Sequence, residues 1–261
     1  MKRLLLVTAL LAALLAPSFT SLAGGLIVCH DVIIIPPPFP RPPIIIPPRP
    51  WPRPIRHVFA PMELQEQKVT VKIDNRVART TVEQVFYNPN PRRQEGTFLF
   101  PVPKGAAIEN FQMEINGKLV KAELLDAKKA RKIYTDIVRS MKDPALLEFS
   151  NQRLFKVRIF PFEPHGKKRI KLTYNQVLRN DAGLVEYTYP LGTGKYSSKA
   201  IGSLSVKIEL AANAPIKSIY SPTHEVEIKR NGNKQATIGF EAKGVTPGSD
   251  FKLYYQPKAK G

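Results

Sequence analysis

Disulfides, metal clusters and long internal apolar runs are all missing from this chain, and each absence removes a class of explanation. The one cysteine, Cys29, cannot pair within the chain, so hydrophobic burial alone must hold the fold. The four histidines, His30, His57, His165 and His224, fall in no HExxH or comparable ligand spacing, and no GxSxG nucleophile elbow occurs. Gly192-Thr193-Gly194-Lys195 is not a phosphate loop. Tyr189 stands where the first glycine is needed, and Tyr196 stands where Ser or Thr would reach magnesium. Glu123 and Asp126 flank a helix start, where capping accounts for them. The expectation is therefore no enzyme, no catalytic residue, no cofactor and no metal.

Acidic residues are also scarce: 21 Asp and Glu face 40 Lys and Arg, a formal net charge of +19. Such an excess favours polyanions and anionic surfaces. The first residues supply a compartment. Lys2 and Arg3 precede an apolar run from Leu4 to Ala16, which ends in Ser21-Leu22-Ala23 before Gly24. This is the pattern of a cleaved secretory signal over residues 1–23, and the run is shorter than the ~20 residues that span a bilayer. The chain is therefore expected to be secreted or periplasmic, with no transmembrane segment after cleavage and no access to intracellular nucleic acid.

Proline is abundant instead. From Ile33 to Pro54 the chain reads IIIPPPFPRPPIIIPPRPWPRP, too poor in backbone donors for a packed helix or a central strand. Residues 24–56 are expected to be a proline-rich linker, an extended spacer of roughly 60 Å at about 3.1 Å per residue. Arg41, Arg49 and Arg53, interleaved with Phe39 and Trp51, suit an aromatic groove or an acidic surface.

Alternation then takes over. Val69, Val71 and Ile73 share one strand face, with Lys68, Thr70 and Lys72 on the other. TTVEQVFYNPNP is a strand stopped by Asn-Pro, and FLFPVP is a short strand whose prolines suit an edge. FQMEINGKLVKAEL is a hairpin turning on Asn116-Gly117, between Ile115 and Leu119. One helix interrupts the pattern: Ala130, Ile133, Tyr134, Ile137, Val138 and Met141 recur at helical spacing, Asp126 caps the start and Asp143-Pro144 ends it. RLFKVRIFPFEP and KKRIKLTYNQVL make a strand pair about Pro164-His165-Gly166. Short strands continue through LVEYTYPL, SLSVKIEL, HEVEIKR, Asn231-Gly232, KQATIGFEA and DFKLYYQ, at sandwich-like spacing.

From Thr81 to Leu178 these blocks, in this order, resemble the VIT domain that opens inter-alpha-trypsin inhibitor heavy chains and many bacterial exported proteins. The strand ending in Asn-Pro, the Phe-Pro segment with its hairpin, the helix leading to Leu146, Leu147 and Glu148, and the closing strands all fall in register. Lys121 replaces an expected glycine, and Glu163-Pro164-His165-Gly166 replaces a Pro-Gly-Glu turn. The resemblance implies a mainly β fold: an antiparallel VIT-like β-sandwich with one amphipathic helix over residues 57–180, a second β-rich, sandwich-like region over 181–256, and a tail at 257–261. Relatives commonly continue into a von Willebrand A domain with an Asp-x-Ser-x-Ser metal motif, which is missing here.

The function expected is that of an interaction module binding a protein partner or an anionic envelope or extracellular polymer; the alternative is an assembly subunit working with a separate von Willebrand A-type chain. The candidate contacts are Lys128, Lys129, Arg131, Lys132 and Arg139 on the helix, joined by Lys167, Lys168 and Arg169 in the following turn.

Overall fold

The computed structural model describes residues 26–29, 32–34, 55–57, 60–121, 154–191 and 199–258. The helix expected from Asp126 to Asp143 lies outside them. Every regular element described is a strand. The first eight are β1 (Leu26–Cys29), β2 (Val32–Ile34), β3 (Ile55–His57), β4 (Glu63–Asp74), β5 (Val77–Tyr87), β6 (Gln94–Pro101), β7 (Ala107–Ile115) and β8 (Lys118–Lys121). Then come β9 (Leu154–Phe162), β10 (Lys167–Val177), β11 (Arg179–Asp181), β12 (Leu184–Tyr189) and β13 (Ile201–Ala211). The last four are β14 (Ile216–Tyr220), β15 (Glu227–Asn231), β16 (Gln235–Val245) and β17 (Phe251–Pro257).

An eight-stranded sheet, ordered β15-β16-β13-β4-β5-β10-β7-β8, forms one layer. Two smaller sheets, β1-β6-β9 and β11-β12-β17-β14, share a single buried core with it. The alternation read from the sequence decides which face is buried. Val69, Val71 and Ile73 of β4 point inward beside Val206, Ile208 and Leu210 of β13 and Val82 and Phe86 of β5. Against the β5-β10-β7 half lies an aromatic cluster: Phe98 packs on Phe86 and Phe111, and Phe100 packs on Tyr174. Beneath β4 and β5 the contact with the four-stranded sheet is polar. Gln84 Nε2 donates to Gln67 Oε1 at 2.8 Å, Gln67 Nε2 donates to the Tyr189 hydroxyl at 3.1 Å, and the Thr80 and Tyr187 hydroxyls lie 3.0 Å apart. Burial drives the Tyr187 and Tyr189 phenols well above the usual tyrosine range, so they stay protonated and bonded.

The mainly β expectation holds, with three corrections in the pairing. First, the sheet is not wholly antiparallel: β13 runs parallel to β4, from Ser203 opposite Glu66 to Ala211 opposite Asp74. The chain leaves the large sheet after β10 and passes through β11 and β12 before β13. That is a crossover long enough to re-enter in the same direction. Second, β6 is not an edge but the middle strand between β1 and β9. Its one proline, Pro101, ends the strand beyond Leu99, the last β6 residue that pairs with β1 among the described residues. Third, β9 and β10 do not pair. β9 pairs with β6, and β10 pairs with β5 and β7, so the turn between them is a corner joining two sheets.

The Asn116-Gly117 turn is as expected, with φ of 51° and 76°, and it closes on Ile115 opposite Lys118. Around the proline-rich segment, β1 upstream pairs with β6, while Ile34 and Ile55 pair across β2 and β3. The two ends of the segment therefore stand side by side.

Candidate interaction face

Asn88, in the Asn-Pro-Asn-Pro stretch after β5, builds the corner that aims β10. Its buried Nδ2 lies within hydrogen-bond distance of the carbonyls of Arg92 at 3.0 Å, Phe162 at 3.3 Å and Glu163 at 3.0 Å. Its Oδ1 accepts from the backbone and side-chain nitrogens of Asn90, at 3.0 and 2.9 Å. Asn90 in turn exchanges two hydrogen bonds with the backbone of Ala60. Gly166 keeps the corner uncrowded: a Cβ there would sit 3.0 Å from the Glu163 Cβ and 3.1 Å from its carbonyl oxygen, tighter than ordinary van der Waals contact. His165 turns with a φ of 50°, and Arg93 pairs with Glu163 at 3.0 Å.

From this corner β10 starts with the three cations singled out in the sequence, and strand alternation separates them. Lys167 and Arg169 are exposed on the outer face, with Arg169 Nε 3.8 Å from a Glu114 carboxylate oxygen. Lys168 turns to the other side, 8% exposed, and its Nζ donates to the Glu114 carbonyl at 3.0 Å. Burial lowers its pKa, opposed by the Glu114 and Glu163 carboxylates. Lys128, Lys129, Arg131, Lys132 and Arg139 lie outside the described residues.

Cations that the sequence reading did not assign to a site join Lys167 and Arg169 across the outer face. The register sets Ser205, Lys68, Glu83 and Lys171 in one cross-strand row, with Lys207, Thr70, Thr81 and Thr173 in the next. Glu209, Lys72, Arg79 and Asn175 form a third. Threonines thus floor the middle of the face, Thr81 and Thr173 with their hydroxyls 3.3 Å apart, and long charged side chains flank them. Lys171 is held by Glu83 at 3.0 Å and Lys207 by Glu209 at 2.9 Å. Arg79 is held by Glu109 at 2.6 Å, which, with Asn175, lowers the Glu109 pKa to about 2. Lys68, Lys72 and Lys167 are exposed and make no ion pair among the described residues. The alternation from Lys68 to Lys72 was legible as a polar strand face; its juxtaposition with β10 and β13 required the register.

Elsewhere, a groove of about 440 Å³ opens where β4 and β13 begin, lined by Glu63, Leu64, Gln65, Glu66, Lys199 and Gly202. Lys199 Nζ lies 2.7 Å from a Glu63 oxygen, and the pair neutralises itself. Among the described residues no group of three or more His, Cys, Asp and Glu stands together to hold a metal ion. His224 is packed between Phe240 and Phe251, with its Nδ1 2.9 Å from the Thr223 hydroxyl.

Residues 64–174 match the family model of the Vault protein inter-alpha-trypsin domain. Inter-alpha-trypsin inhibitor heavy chain H6 of Homo sapiens is 27% identical over 149 residues, covering 57% of this chain and 11% of that protein. Heavy chain H2 of Mus musculus is 29% identical over 191 residues, covering 69% of this chain and 20% of that protein. The chain thus spans a fifth or less of these relatives. Among solved structures, a Legionella pneumophila protein described as nutrient-binding superposes with a TM-score of 0.53 at 14% identity, over 75% of this chain and 67% of the other, which shows a common fold. The family match starts in β4, earlier than the blocks that begin at Thr81, and runs to Tyr174 in β10. From Leu64 to Tyr174, therefore, the chain matches the vault protein inter-alpha-trypsin (VIT) domain, and β11–β17 extend that stretch within the same core.

Proposed function

We propose that this is an exported, non-enzymatic VIT-domain protein, an interaction module that docks a protein or an anionic envelope or extracellular polymer on the outer face of its eight-stranded sheet. The observation that carries the reading is that Lys68, Lys72, Lys167 and Arg169 share the outer face of adjacent strands, Lys68 and Lys72 on either side of the threonine row and Arg169 and Lys167 further along β10. A flat face with exposed cations meets a negatively charged partner without first having to desolvate a pocket. The net charge of +19 and the amino-terminal signal pattern support both the sign of the partner and its location outside the cytoplasm. No helix among the described residues is long and apolar enough to cross a membrane.

Binding of the full mature chain to immobilised heparin, used as a model polyanion, tests this across a salt series. Affinity is expected to fall steeply between low and physiological salt, and the triple charge reversal Lys68→Glu, Lys72→Glu, Lys167→Glu is expected to weaken it by about tenfold or more. Binding that ignores salt, or that survives the reversal unchanged, would sink the assignment.

A further inference from the structure

At the far end of β5 from the Asn88 corner, five turns and strand ends meet in one rim. Backbone hydrogen bonds join them: Leu178 donates to the Arg76 carbonyl at 2.7 Å, Asn75 to Ala211 at 2.8 Å, and Ala212 to Lys234 at 2.9 Å. Ile216 donates to Asn233 at 2.7 Å and Lys258 to Pro215 at 2.8 Å, while Asn75 Oδ1 accepts from the Asn213 amide at 2.7 Å. The rim therefore brings the β4–β5 and β15–β16 turns, the exit of β10, the β13–β14 connection and the end of β17 together. Its parts are fixed before any partner arrives.

Six exposed cations stand on these segments and at their borders: Arg76, Arg179, Lys217, Arg230, Lys234 and Lys258. Two carboxylates oppose them. Asp181 is 3.5 Å from Arg179, and Asp74 accepts from the Asn75 side chain at 2.9 Å. The other five cations make no ion pair among the described residues. Arg230 is anchored to the rim backbone, donating to the Ile216 and Lys217 carbonyls at 2.8 and 3.3 Å. Beside these charges lies an apolar spot. Val77 and Val177 are cross-strand partners at the ends of β5 and β10, and they are 52% and 68% exposed. Val77 follows Arg76 directly, and Arg179 comes two residues after Val177.

We propose that this rim is a docking surface for an anionic lipid bilayer, distinct from the polymer-docking face. Exposed valines add nothing to the capture of a soluble polyanion. At a bilayer they enter the boundary between headgroups and acyl chains, while neighbouring lysines and arginines hold the lipid phosphates. An excess of six cations over two carboxylates supplies the matching charge.

The test mixes the mature full chain with vesicles of phosphatidylcholine, alone or with phosphatidylglycerol. Co-sedimentation with the anionic vesicles is expected, and the triple reversal Lys217→Glu, Lys234→Glu, Lys258→Glu is expected to reduce it by about tenfold or more. Val77→Thr with Val177→Thr keeps shape and charge at two exposed positions, and a drop of about fivefold is expected. Lys68 and Lys167 lie six or more residues along their strands from the rim, about 20 Å or more, beyond the ~10 Å Debye length. Lys68→Glu with Lys167→Glu is therefore expected to leave vesicle binding within about twofold, even where it weakens heparin binding. Trp51 is the chain's one tryptophan, so Val177→Trp in a Trp51→Phe chain places a single indole at the rim. Its emission is expected to move to the blue on anionic vesicles. No binding, equal binding to both vesicle types, or an indole that does not shift overturns the lipid assignment. So does a valine pair that can be changed without effect while the rim reversal abolishes heparin binding, which gives the rim to a soluble polyanion. Vesicle binding lost with Lys68→Glu and Lys167→Glu but kept by the rim reversal moves the contact to the outer sheet face and overturns the rim.

Discussion

At Asn88 a buried amide faces three carbonyls and anchors Asn90, so Asn88→Ala leaves polar groups unpaired where water does not reach. A loss of about 2–4 kcal/mol is expected, read as a lower urea midpoint with unchanged slope. Ala182 offers the opposite case. It holds a φ of 48° beside Gly183 at 87° in the β11–β12 turn, a left-handed pair in which asparagine is better suited to the first position than alanine. Ala182→Asn is expected to raise stability by roughly 0.5–1 kcal/mol, detectable as a higher melting temperature. His224 sets a pH dependence. Burial between Phe240 and Phe251 lowers its pKa, while the facing Asp250 carboxylate partly opposes the shift. A base held neutral in the fold contributes stability that is fully present above its unfolded pKa, near 6.5, and is lost as pH falls below it. Urea midpoints should drop on going from pH 7.5 to 5, and His224→Gln should flatten that component of the profile.

Among the elements, the join between β4 and β13 depends on one glycine. A register shift between Leu64 and Glu66 bulges Gln65 toward β13, and a Cβ on Gly202 would sit 2.8 Å from the Gln65 carbonyl oxygen. That neighbour is backbone and cannot swing away. Gly202→Ala is expected to cost about 1–3 kcal/mol and to speed amide exchange from Ser203 to Val206, while exchange in β10 stays slow. The edges of the large sheet differ in their protection. β15 presents Glu227, Lys229 and Arg230, charges that discourage edge pairing, whereas β8 leaves Leu119 and Val120 exposed between Lys118 and Lys121. This contrast was hidden in the sequence, where KLVK read as a hairpin arm and HEVEIKR as one of a series of short strands.

Across the whole molecule, the VIT domain is tied to strands β11–β17 by a shared sheet and a polar seam, Gln67 and Thr80 meeting Tyr189 and Tyr187. A fragment ending at Asn180 would lose β13 from beside β4 and uncover Val69, Val71 and Ile73. It is expected to aggregate or to lack a cooperative urea transition, measured by circular dichroism against the intact chain. Strand positions, the buried face of β4 and the Asn-Gly turn were legible in the sequence, because side-chain alternation and left-handed turn residues are local properties. Local pattern also carried the family blocks and the excess of positive charge. Long-range pairing decided the rest. Lys168 parts from Lys167 and Arg169 by the same local alternation, but Lys68 and Lys72 share the face of Lys167 and Arg169 only because β4 lies beside β5 and β5 beside β10. The residues of the cationic face and of the basic rim come from strands and turns far apart in the chain. Backbone hydrogen bonding brings them together, and alternation along a single strand carries no information about which strand will be its neighbour.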